Sequence, residues 1–62
     1  MQMSIEDYRL RYESLSNAEL VEELTYKART QQAVTKNGTL QEVAELGKQI
    51  SALQLVIVER MA

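Results

Sequence analysis

Thr39–Ala62, TLQEVAELGKQISALQLVIVERMA, is the stretch whose reading decides the fold. Leu40, Val43, Gly47, Ile50, Leu53, Ile57 and Met61 recur at helical spacing along it, which predicts one long helix with an apolar stripe. From Leu53 onward the stripe widens, because Leu53, Leu55, Val56, Ile57 and Val58 point in almost every direction around the helix axis. A helix that is apolar on all sides has to be covered on all sides. One partner helix within a chain of 62 residues does not achieve that. The expectation is an all-α homo-oligomer whose copies meet through Ile50, Leu53, Val56, Ile57 and Met61.

Working backwards, Thr39-Leu40-Gln41-Glu42 is a capping box that starts this helix. Asn37-Gly38 just before it ends the preceding helix, since both residues tolerate the left-handed conformation of a C-cap. That preceding helix opens on a second capping box, Ser16-Asn17-Ala18-Glu19, with Leu15 and Leu20 spaced as a hydrophobic staple. It is predicted over about 17–36, with Leu20, Val21, Leu24, Ala28 and Val34 as its apolar side. A connection of three residues between helices of roughly 20 residues, about 30 Å each, implies an antiparallel hairpin. Ser4 ahead of Glu6-Asp7 marks a further, short helix over about 5–13, with Ile5, Tyr8 and Tyr12 on one side. The whole reads as a single helical domain, 1–62, with helices at about 5–13, 17–36 and 40–61. Gly47 lies on the stripe of the last helix, where a close helix–helix approach would explain a residue that costs about 1 kcal/mol relative to Ala.

Composition narrows the function. Cysteine and histidine are both absent, so no disulfide and no thiolate or imidazole metal ligand exists. The glutamate clusters (Glu19, Glu22, Glu23 and Glu42, Glu45) lack the histidine that accompanies paired-metal sites on facing helices, and solvated faces and caps explain them better. No metal, no cofactor and no catalytic residue is expected. Net charge is −2, so the bulk protein attracts no polyanion, and duplex DNA binding is not expected. The longest apolar run, Leu55–Val58, is too short to span a bilayer and no signal peptide is evident, and the lack of cysteine fits the expectation of a cytoplasmic protein. Two small clusters remain: Tyr26-Lys27-Ala28-Arg29, and Tyr8, Arg9, Arg11 and Tyr12. Tyrosine offers a flat face for a base and Lys or Arg a charge for phosphate. The same residues also read as a docking helix with ordinary surface charge.

Tyr12-Glu13-Ser14-Leu15-Ser16-Asn17-Ala18-Glu19-Leu20 and the continuation to Lys27 resemble the phage anti-CBASS cyclic-nucleotide sponges. That family has a Tyr-x-x-Leu-Ser-x-x-Glu-aliphatic segment, a lysine on the next helix and a long apolar C-terminal helix. The resemblance implies a compact hexamer that sequesters the cyclic oligonucleotide signals of bacterial immunity without cleaving them, in the cytoplasm of the infected host. It implies that Tyr12 stacks on a base and Lys27 contacts phosphate, in pockets shared between chains; to these the basic residues nearby, Arg9, Arg29 and Lys48, are added as outer candidates. The family's arginine on the third helix has no counterpart here, and Lys48 is its nearest substitute. The alternative is a small helical adaptor that binds another protein through its apolar helix surface.

Overall fold

Every helix opens on a reciprocal cap. In the computed structural model, which describes residues 3–62, the elements are α1 (Ile5–Tyr12), α2 (Asn17–Asn37) and α3 (Leu40–Met61). The Ser16 hydroxyl accepts from the Glu19 N–H at 3.1 Å, while the Ser16 N–H donates to Glu19 Oε1 at 2.9 Å. Thr39 and Glu42 repeat the exchange at 3.1 Å in both directions. Ser4 and Asp7 do so for α1, at 3.2 and 3.0 Å. Backbone N–H bonds from the caps hold the Asp7 and Glu19 carboxyls below the usual carboxylate range. The all-α architecture of a short helix followed by a helical hairpin is as the sequence predicts.

The α2–α3 turn departs from expectation. Gly38 is extended (φ −103°, ψ −174°), and no described residue has a positive φ. The position still demands glycine, for a different reason. The Gly38 N–H donates to the Val34 carbonyl at 2.6 Å. A Cβ there would run into the Val34 side chain and stand 2.8 Å from that carbonyl oxygen. Close approach, not handedness, selects glycine.

α3 is the central helix. α2 packs antiparallel along one flank and α1 along another, while α1 and α2 hardly meet. The buried core is Tyr8 and Tyr12 from α1, Leu20 from α2, and Ala52, Leu53 and Val56 from α3, with Met3, Leu15, Leu24 and Ile57 around it. This corrects the reading of α3. Leu53 is 0% and Val56 2% exposed within a single chain, so neither is free to meet another copy. Two partner helices bury this pair because they approach α3 from different sides, while Leu55, Val58 and Met61 stay exposed. Ile50 and Ile57 are half-buried, and of the five expected interface residues only Met61 stands clear of its own chain.

The expected tight approach at Gly47 is also not found, since a Cβ there would meet only Gln31 Nε2, at an ordinary 3.6 Å. The molecule measures 35 × 24 × 16 Å. No helix is long and apolar enough to cross a membrane among the described residues.

Candidate functional site

Lys27 occupies an unusual place on α2. The residues Leu20, Leu24, Lys27, Gln31 and Val34 recur every three or four and form the stripe that α2 turns towards α3. Lysine stands where that stripe would otherwise carry an apolar side chain. Contact between Gln31 and Gly47 fixes the antiparallel register, which puts Lys27 level with Ile50 and Ser51 of α3. Lys27 is half-buried, and its Nζ lies 5.9 Å from the centre of the Tyr26 ring. Among the described residues no carboxylate pairs with it. At the same level of α3, Gln49 has its Oε1 buried with no hydrogen-bond donor.

Tyr12 lies in the core. It is 8% exposed and stacked on Tyr8, with ring centres 6.2 Å apart and planes 14° from parallel. One ring face is therefore taken by its own helix. Burial, and then the nearby Glu23 carboxylate, raise the Tyr12 phenol above its ordinary pKa. Glu23 lies one turn before Lys27 on α2, which connects Tyr12 to the side of α2 that carries the lysine. The open aromatic is Tyr26, 63% exposed. It also lines an acidic cleft of about 320 Å³ with Leu15, Glu19, Glu22 and Glu23.

The other three candidates do not converge on Lys27. The Arg9 guanidinium is shared among Glu6 at 2.7 Å, Glu59 at 2.5 Å and Glu13 at 3.6 Å. Its hydrogen bond to Glu6, with Glu59 adding, raises its already high pKa further. Lys48 pairs with Glu45 at 3.6 Å, and Glu45 also accepts the Tyr8 hydroxyl at 2.5 Å. Arg29 is exposed and lies two residues beyond Lys27, on the other side of α2.

Three contributors were not singled out from the sequence as site residues. Tyr26 stood in its cluster without a role, and Gln49 carries no local signal, because the burial of its Oε1 is a tertiary fact. Arg60 donates to Asn17 Oδ1 at 2.9 Å and to the Glu13 carbonyl at 2.8 Å, clasping the α1–α2 turn to the end of α3. An arginine in the last turn of a hairpin, opposite the first turn of its partner, is the signal that could have found it. The surface around Lys27 offers binding chemistry: an ammonium for an anion and an aromatic face. Among the described residues no cluster of three or more metal-binding side chains occurs. No protein-family model, no curated protein and no solved structure matches the chain.

Proposed function

We propose that this protein is a non-catalytic binder that captures and sequesters a small cyclic nucleotide signal, the activity that the resemblance over residues 12–27 implies. The observation that carries the reading is Lys27, a cation on the inward stripe of α2 without a carboxylate partner among the described residues. Its ammonium is free to meet a phosphate, which makes a charge-assisted hydrogen bond with it. Tyr26 beside it supplies the stacking face. Tyr12 acts by holding α1 against α3. Each chain contributes one such lysine, whereas a cyclic dinucleotide carries two phosphates. Two copies sharing a pocket match that charge, in keeping with a homo-oligomer. Glu19, Glu22 and Glu23 beyond Tyr26 disfavour long polyanions such as duplex DNA. In an infected bacterium such capture would take place in the cytoplasm and would blunt anti-phage defence.

Thermal melting against a panel of cyclic di- and trinucleotides tests this. A ligand at about 100 times its Kd adds roughly 2.7 kcal/mol, which raises the midpoint of so small a domain by about 10–20 °C. Lys27→Ala should abolish the shift without loss of helicity, and Tyr26→Ala should weaken it. No shift for any nucleotide would reject this reading in favour of the protein-binding adaptor.

A further inference from the structure

Charged residues make up 26% of the chain, yet one whole side of the α2–α3 hairpin carries none. α3 turns one stripe to α2 and another to α1. Its third stripe is Leu40, Ala44, Gly47, Ser51, Leu55 and Val58, again at three- and four-residue steps. On α2 the neighbouring stripe is Val21, Thr25, Ala28, Gln32 and Thr35. At the end of the hairpin away from the Gly38 turn, Val21 and Met61 line one cleft of about 260 Å³, with Arg60 at its edge. Leu40 (89%), Met61 (80%), Val58 (63%) and Val21 (58%) are exposed along this side. Thr25 and Thr35 donate their hydroxyls back to the Val21 and Gln31 carbonyls, at 2.9 and 2.7 Å, so both are satisfied within the helix.

We infer that this side is covered by a second copy of the chain, packed antiparallel with α3 against α3 about a two-fold axis at Ser51. Size selects this partner. In an isologous contact residue i faces j and j faces i. With the axis at Ser51, Gly47 faces the partner's Leu55, Ala44 faces the partner's Val58, and Leu40 faces the partner's Ala62. A large side chain meets a small one each time. A parallel pairing would set Leu55 on Leu55 and leave gaps at Gly47 and Ala44. The arrangement also accounts for Gly47, which the single chain does not need. The covered side is about 33 Å long, from the helical rise, and about 20 Å wide, from two helix diameters. That is roughly 600 Å² per copy, at the lower end of specific interfaces. The product is a four-helix bundle flanked by the two α1 helices.

The inference shares with the proposed function only the premise that copies associate, so it is tested without nucleotide. Sedimentation of the wild type across a micromolar to millimolar range should show a dimer or a multiple of it. Leu55→Glu should sediment as a monomer of unchanged helicity. With no native cysteine, single-cysteine variants report the axis and do not depend on Leu55→Glu folding. Under mild oxidation Ser51→Cys should cross-link to itself, and Val58→Cys, placed opposite Ala44, should not. A wild type monomeric throughout, a Leu55→Glu variant that assembles normally, or a Val58→Cys variant that cross-links as fast as Ser51→Cys would each overturn the inference.

Discussion

The two ends of the hairpin are built to different standards. Where α1 lies across α3, six side chains are buried. Towards the Gly38 turn, Val34, Val43, Leu46 and Ile50 are only half-buried, because two helices alone leave each other's flanks open. The difference shows what the eight residues of α1 do. Tyr8 and Tyr12 act as a third wall, large enough to close over Ala52, Leu53 and Val56 although α1 itself is too short to be stable alone. The side that α1 covers needs no other copy, while Val21, Val58 and Met61 at the same end stay exposed on the outer side. The open end and the uncharged outer side are where a second copy has something to add.

Four changes probe the contrast. Leu53→Ala at the closed end should cost about 2–5 kcal/mol and leave a domain of this size largely unfolded. Leu46→Ala at the open end should cost clearly less, because its site is already partly wet. Urea titrations followed by circular dichroism compare the two. The glycines should then separate in sign. Gly38→Ala should destabilise by about 1 kcal/mol or more, since the Val34 carbonyl must give way. Gly47→Ala, at a concentration where the chain is monomeric, should stabilise by up to about 1 kcal/mol. Melting midpoints of both variants beside the wild type decide this.

The smallest effects concern pH. The Glu6, Asp7 and Glu19 carboxyls titrate lower in the folded chain than in the unfolded one. Their contribution is present above an unfolded pKa of about 4 and is lost as pH falls through the lower folded values. Tyr12 has the opposite sense. Its raised pKa gives stability present below about pH 10 that is lost as pH rises through the folded value. Midpoints should therefore hold between these limits and decline on both sides, with Tyr12→Phe easing the alkaline decline and leaving the acid one.

The helices and their caps were legible in the sequence because they are set by neighbours three or four residues apart. The boxes at Ser16 and Thr39 needed nothing distant. The core was less legible. Leu53 and Val56 look alike to Leu55 and Val58 in sequence, and only the direction from which α1 docks makes the first pair interior and the second exterior. The same docking hides Tyr12 and leaves Tyr26 open. Lys27 was visible as one cation among several. Its distinction is that it stands on the inward stripe of α2 with no carboxylate partner among the described residues, whereas Arg9 and Lys48 are paired and Arg11, Arg29 and Lys36 are exposed, and that is a tertiary fact.

The most direct test of the account is hydrogen exchange of the ligand-free wild type at two concentrations, one below and one above association. Amides around Leu53 and Val56 should be the best protected when the chain is monomeric. Those of Gln31–Gly47, around the open turn, should exchange quickly when dilute and slow markedly when concentrated. Equal protection of both ends at both concentrations would contradict the division of the molecule into an end closed by its own chain and a side closed by another.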